Sequence, residues 1–369
     1  MTPLILPDRR PAPHPVAQPA GPVGIVLVGC GAVARLFYQP ALHELGRRHE
    51  ADVLALVDPL AGARDALAAH FPQAKAVATF EAVGAPPGSL AIIASPPKHH
   101  ASHALAALRR GWHVLCEKPM ASTPEECAAM VEQAAVHERV LAVGHYKRFF
   151  PVHGWLREAI RRGTFGELRS FDIQEGGPFR WPAATPSFFS PADTPGGVLL
   201  DIGVHVLDLL DWWLGEPAET DYADDASGGL EANAVLTLAY ASGLRGRVQL
   251  SRDWPTRQAY RFEFERGTVE WQVNAANSLS LHLHGLPAAL QGTLLAPDGE
   301  AGWTAPQCFI AQLQAVVAAV QGRGPVPVTG AEGMRIMALI SRLYRDRRPL
   351  GQPWLRAPAP VTRFLVSPP

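Results

Sequence analysis

A continuous apolar run, Val23-Gly24-Ile25-Val26-Leu27-Val28, leads into Gly29-Cys30-Gly31-Ala32-Val33-Ala34 and then into helical sequence. A short run without polar alternation suits a strand buried on both faces, the condition of a parallel sheet covered by helices. The glycine spacing constrains the turn and the helix after it. Gly29 permits a tight turn, Gly31 lets backbone approach a pyrophosphate, and small Ala34 lets the helix pack on the strand. Ala32 and Val33 complete the stretch at the helix N-terminus, where a phosphate binds. A second apolar strand, Val53-Leu54-Ala55-Leu56-Val57, ends in Asp58 about thirty residues on. An acid there accepts hydrogen bonds from the adenosine ribose hydroxyls and repels a 2′-phosphate, which favours NAD while leaving NADP possible.

The same alternation continues to about residue 150. Leu60 to His70 reads as a helix, and Leu90-Ala91-Ile92-Ile93-Ala94 as a buried strand broken by Ser95-Pro96-Pro97. His99, His100 and His103 open the next helix, Ala101 to Arg110. His99 and His103 share a face, but no third ligand lies nearby, so no metal is expected. His100, with Ser95 and Pro96, is placed at the cofactor end of its strand. Trp112 to Leu115 then runs into Cys116-Glu117-Lys118-Pro119-Met120. Ligands of parallel α/β sheets bind at the carboxyl ends of strands, so Lys118 is expected to meet the reacting atoms. A capped helix starts at Ser122-Thr123-Pro124-Glu125-Glu126, and Val140-Leu141-Ala142-Val143 is the last strand of this half.

Beyond Pro151 the period changes. A helix from Val152 to Arg162 precedes segments that alternate apolar and polar: Leu168–Glu175, Ala234–Tyr240, Leu244–Ser251, Tyr260–Glu265 and Thr268–Val273. These read as antiparallel strands with one buried face, and helices Pro306–Gln321 and Ala331–Arg345 come after them. The helix from Val198 to Leu214 is apolar nearly all round, yet Asp201, His205 and Asp208 form a polar stripe along it. Buried charge is costly unless paired or used. A carboxylate one turn from an imidazole suits proton transfer, so Asp201 and His205 are catalytic candidates, while Asp208 is expected to hold the helix against the sheet. The irregular segment from Glu175 to Thr194, with Arg180, Trp181 and Phe188-Phe189, is placed as a lid or specificity loop. Together with Lys147 and Arg148 it suggests an acidic or phosphorylated substrate.

At 369 residues two domains are expected, with boundaries at 23–150 and 151–369 behind a proline-rich stretch at 1–22. That stretch reads either as a disordered tail or as an arm across a neighbouring subunit. A net charge of −1 gives no electrostatic argument for nucleic acid or an anionic membrane. Four cysteines without CxxC spacing speak against a disulfide framework and suit a reducing compartment. No apolar run approaches the ~20 residues that span a bilayer. A soluble, cytoplasmic protein is expected.

Gly29-x-Gly31-x-x-Ala34, Glu117-Lys118-Pro119 and Asp201-x-x-x-His205, in this order and at these separations, resemble the Gfo/Idh/MocA oxidoreductase family. That family includes glucose–fructose oxidoreductase and inositol dehydrogenase. The similarity spans roughly Val23 to Leu350, with support from Ser95-Pro96 and His100, Gly144-His145 leading to Arg148-Phe149, and Gly196-Gly197. The resemblance implies an N-terminal Rossmann, doubly wound parallel sheet and a C-terminal α+β domain with a large open, mostly antiparallel sheet, through which a homodimer or homotetramer would form. It implies hydride transfer between NAD(P) and a secondary hydroxyl of a sugar, polyol or related cyclic compound. His205 would be the general acid/base, Lys118 would polarise the reacting oxygen, and Asp201 would orient substrate or tune His205. Arg148 and Trp181 would contact substrate, Glu117 would face the nicotinamide, and the Lys118–Pro119 bond would be cis. The family often has asparagine where this chain has Tyr146. Two alternatives stay open: an NAD-dependent glycoside hydrolase with transient C3 oxidation, and a non-catalytic NAD(P)-binding regulator.

Overall fold

The computed structural model describes residues 21–182, 189–191, 193–226, 229–295 and 303–351. Most of the proline-rich stretch, and Phe188 of the proposed specificity segment, lie outside them. Six strands, β1 (Val23–Val28), β2 (Ala51–Val57), β3 (Lys75–Val77), β4 (Leu90–Ile93), β5 (His113–Glu117) and β6 (Leu141–Gly144), form a sheet of order β3-β2-β1-β4-β5-β6. Every pairing in it is parallel. All residues of β4, β5 and β6 are buried, as expected of strands covered on both faces. Helices α1 (Gln39–Arg47), α2 (Ala61–Ala68), α3 (His100–Arg109) and α4 (Pro124–Val136) are the crossovers. Strand order reverses between β1 and β4, so the carboxyl ends of these two strands frame a binding crevice.

After helix α5 (Pro151–Arg161) the second sheet begins. Its strands are β7 (Leu168–Gly176), β8 (Glu219–Asp224), β9 (Asn233–Ala239), β10 (Arg245–Ser251), β11 (Ala259–Phe264), β12 (Gly267–Gln272), β13 (Ser278–Leu283), β14 (Leu290–Thr293) and β15 (Arg348–Pro349). The order is β14-β13-β12-β11-β7-β10-β9-β8-β15. It is antiparallel except where β7 meets β10 and β8 meets β15. The five expected strands correspond to β7, β9, β10, β11 and β12. Strands β8, β13, β14 and β15 escaped sequence reading because they are short or polar: β14 is exposed throughout and β8 buries only Tyr222 and Asp224. One face of the sheet carries apolar residues such as Phe171, Ile173, Val248, Leu250, Tyr260 and Phe262 into the core. The other face carries cross-strand ion pairs, Arg247 with Asp172 and Arg261 with Glu270.

The expected helix from Val198 to Leu214 is two pieces, a π-helical turn at Leu199–Gly203 and helix α6 (Val204–Leu214). Asp201 sits in the wide turn and His205 in the α-helix. The last helices, α7 (Ala305–Val320) and α8 (Gly330–Arg345), return to the first sheet. Phe309, Leu313, Val316 and Val317 of α7 share a core with Leu42 and Leu45 of α1 and Ile25 of β1. Gly333 of α8 lies so close to β6 that a Cβ there would come within 2.7 Å of Val143. Helices α7 and α8 thereby pack against the first sheet and its helix α1. No helix among the described residues is long and apolar enough to cross a membrane.

Candidate active site

The fingerprint turn is built by two glycines with different constraints. Gly29 has φ +98°, and a Cβ on it would lie 2.5 Å from the carbonyl of Ala94, so the turn closes only on glycine. A Cβ on Gly31 would meet nothing within 4 Å, leaving room for a ligand to approach the backbone. Asp58, at the end of β2, accepts from the Cys30 N–H through Oδ2 and from the Leu60 N–H through Oδ1, both at 2.8 Å. A carboxylate has about four acceptor positions, so two remain for ribose hydroxyls. These features fit a bound dinucleotide, with Gly29, Gly31, Ala32, Val33 and Asp58 as its holders. At the next strand end His100 lies 2.8 Å from the Pro119 carbonyl and 2.7 Å from that of Ser95. It ties the Ser95-Pro96 loop of β4 to the turn after β5. His103 contacts the Ser95 hydroxyl at 3.0 Å.

Strand β5 ends in Glu117, and the Lys118–Pro119 bond beyond it is cis. Glu117 is buried, accepts from the Tyr38 hydroxyl at 2.6 Å and from the Lys118 N–H at 3.2 Å, and fits only because residue 144 is glycine: a Cβ there would be 2.8 Å from its oxygen. Burial raises its pKa against the opposing pull of Tyr38 and Lys118. Lys118 Nζ donates to the Asp201 carbonyl at 2.9 Å and to Asp201 Oδ1 at 3.1 Å. The second Asp201 oxygen takes a 3.1 Å contact from Arg252. Burial alone would raise the Asp201 carboxyl, but Lys118 and Arg252 outweigh it and hold it below its ordinary value.

His205, only 7% exposed, stands one turn further along. Burial, then Lys118, Lys147 and His145, push its pKa well below the ordinary imidazole value, so it is neutral at neutral pH. Among the described residues its Nδ1 finds no hydrogen-bond partner. The Tyr146 ring lies 5.4 Å away at 85° and the His145 ring 6.0 Å away at the same angle. Lys118, Asp201 and His205 are thus brought together as the sequence suggested. The arrangement offers a cation anchored on a carboxylate, beside a neutral imidazole able to take a proton.

Other expectations are corrected. Arg148, expected at the substrate, is committed inside the protein: it is buried, gives two hydrogen bonds to Asp208 at 2.9 and 2.7 Å, and pairs with Glu332 at 2.7 Å. Asp208 therefore holds α6 to the turn after β6 rather than to the second sheet. Lys147 is buried against Glu175, which also accepts from the Tyr260 hydroxyl at 2.7 Å. Two of the three cations behind an acidic-substrate reading are thereby neutralised, leaving exposed Arg180. Trp181 stacks on Phe37 at 6.1 Å, against the helix that comes after the fingerprint.

Two residues were missed. Arg252, just past β10, reaches Asp201 across 51 residues of sequence and no local motif marks it. Glu231 accepts from the N–H groups of Gly197 and Leu199 and from Tyr344, capping the turn that carries Asp201. The Gly196-Gly197 pair was its signal: added Cβ atoms would fall 2.1 Å from the Tyr344 hydroxyl and 2.0 Å from the Glu231 carbonyl.

Likeness to known proteins is found in two stretches of the chain. Residues 23–145 match the oxidoreductase family with an NAD-binding Rossmann fold, and residues 153–270 the GFO/IDH/MocA C-terminal domain. The rhizopine catabolism protein MocA of Rhizobium meliloti is 27% identical over 85% of this chain and 91% of its own length. D-glucoside 3-dehydrogenase of Escherichia coli (strain K12) is 30% identical over 55% of this chain and 57% of its own length. Levoglucosan dehydrogenase, solved with NADH and levoglucosan, superposes with TM-score 0.78 at 19% identity, covering 88% of this chain and 96% of that one. The chain belongs to the GFO/IDH/MocA family and is an NAD(P)-dependent oxidoreductase.

Proposed function

We propose that this protein oxidises a secondary hydroxyl of a neutral sugar, cyclic polyol or glycoside, or reduces the matching ketone, with His205 as general acid/base and Lys118 holding the reacting oxygen. The carrying observation is the meeting of Lys118, from the end of β5, with neutral His205, from α6, around Asp201. An ammonium has three donors. Two are spent on Asp201, which fixes the side chain and leaves one for a substrate oxygen. That donor stabilises negative charge as the hydroxyl proton departs. The neutral imidazole is the proton acceptor, and Lys118 beside it disfavours keeping the proton, so it is passed on to solvent after each turnover. Arg252 acts through Asp201 by keeping the carboxylate ionised and turned toward Lys118. When bound, the dinucleotide supplies the hydride acceptor or donor, and Asp58 favours NAD over NADP.

The pairing of Lys147 with Glu175 and of Arg148 with Asp208 supports a neutral substrate over an acidic one. Likeness to a D-glucoside 3-dehydrogenase supports glycosides among the candidates and keeps transient C3 oxidation as the second reading. A reduction screen with NAD and NADP over polyols, aldoses, sugar acids and glycosides tests both. Net NADH from a polyol or glycoside supports the dehydrogenase, and glycoside cleavage without net NADH supports the second reading. Activity confined to sugar acids would sink the neutral-substrate assignment. We also propose that a second copy covers the charged open face of the nine-stranded sheet, which sedimentation equilibrium would test: a monomer at all concentrations rejects it.

A further inference from the structure

Tyr146 opens the turn directly after β6, and its ring is fixed without any hydrogen bond. It stacks on Phe309 at 4.6 Å, lies 6.5 Å from Phe37, and meets Phe150 and His205 edge-on at 5.8 and 5.4 Å. Neighbouring tyrosines differ. The hydroxyls of Tyr38, Tyr260 and Tyr344 each bind a buried carboxylate, whereas those of Tyr222 and Tyr240 are sealed inside the protein. The Tyr146 hydroxyl has no hydrogen-bond partner among the described residues and is not among the sealed polar atoms, and Glu175, Glu117 and Asp201 lie near enough to act on it. Burial, then Glu175, Cys308, Glu117 and Asp201, raise its pKa, so it stays a neutral phenol able to donate and to accept.

We propose that Tyr146 is a specificity-determining residue whose hydroxyl binds the substrate hydroxyl next to the reacting carbon, while its clamped ring forms the pocket wall beside His205. Lys118 and His205 are both engaged with the reacting oxygen. The next polar group on a sugar or polyol ring is the vicinal hydroxyl, and Tyr146, in ring contact with His205, is the uncommitted donor placed to meet it. A site built to bind a hydroxyl rejects the analogue that lacks it more strongly than an apolar wall can. This inference rests on the reading of Lys118 and His205 given above.

The test compares wild type with Tyr146→Phe on the sugar, polyol or glycoside of highest kcat/KM in the screen and on its two vicinal monodeoxy analogues. Because the hydroxyl bonds nothing in the protein, Tyr146→Phe should fold normally, with unchanged Tm and unchanged Kd for NAD. The expected result is an about three- to tenfold fall in kcat/KM on the full substrate, carried mainly by KM, with no fall on one of the deoxy analogues. Equal falls on all three compounds, or no fall at all, would overturn the inference. Failure of the underlying reading looks different: either no such compound is turned over, or His205→Ala keeps wild-type turnover.

Discussion

Two carboxylates on one helical run, Asp201 and Asp208, sit in opposite circumstances. Asp208 is 1% exposed and its partner Arg148 4%. A bidentate fork engages both carboxylate oxygens, Glu332 takes another guanidinium nitrogen, and His145 lies 3.7 Å away. Asp201 is 23% exposed and Lys118 19%, and the ammonium keeps one donor beyond its two bonds. A sealed ion cluster holds elements together, because any unpaired charge in it is costly. A partly exposed cluster whose ammonium keeps a spare donor can accept a ligand. The difference separates structure from chemistry without reference to residue type, since both clusters are made of carboxylates, cations and histidines.

The sharpest way to break this contrast is to delete from each side. Lys118→Ala and His205→Ala should each lower kcat by about 10²–10⁴-fold, the scale of positioned proton transfer, while NAD binding and Tm persist. Loss of NAD affinity in both variants would show that they build the cofactor site instead. Arg148→Ala should do the reverse. It leaves Asp208 buried and uncompensated, costing about 3–5 kcal/mol in urea unfolding, while substrate KM in the surviving folded fraction stays near wild type. A stable Arg148→Ala with raised KM would restore Arg148 as a substrate ligand.

The sequence made one side of this contrast readable and hid the other. The fingerprint, Lys118 at a strand end and the Asp201–His205 spacing are local patterns, each within one strand, turn or helix. Arg148 was misread because its meaning depends on Asp208, 60 residues on, and Glu332, 184 residues on. Neither separation comes from any period. Arg252 was invisible for the same reason, and only the Gly196-Gly197 pair hinted at Glu231, since register across β9 and β10 decides where their loops point. The second sheet was legible where apolar alternation is strong, in β7 and β9 to β12. It was not legible at the polar edges, where pairing rather than burial defines the strand.

Acid should act on the sealed regions first. Val140 donates to His113 Nδ1 at 3.0 Å, which requires that nitrogen to be unprotonated. Burial, aided by Arg139, lowers the pKa of His113 to about 4. Burial likewise lowers His145 to about 4 despite Asp208. The unfolded chain binds these protons near pH 6.5, so between pH 6.5 and 4 it holds protons that the folded state refuses. Stability therefore falls as pH drops through that window. Urea unfolding at pH 7 and pH 5 should show a loss of about 2 kcal/mol per such histidine at most. His113→Gln, which keeps an acceptor for Val140 but cannot titrate, should flatten the slope. An unchanged slope would place the acid sensitivity elsewhere.

The same distinction between filled and open surroundings holds for the two fingerprint glycines, at a smaller scale. Gly29→Ala must put a side chain at φ +98° and 2.5 Å from the Ala94 carbonyl, so it should lower stability, by about 1–2 kcal/mol for the backbone conformation alone. Gly31→Ala meets nothing within 4 Å and should leave Tm unchanged. Its methyl would instead stand where the pyrophosphate must approach the backbone, weakening NAD by about tenfold, or ~1.4 kcal/mol, with little change in kcat at saturating cofactor. Titration of NAD fluorescence quenching beside a thermal melt reads both quantities on one sample. If Gly31→Ala melted early and bound NAD normally, the open space beside that glycine would belong to the fold, and the dinucleotide would have to cross the crevice by another route.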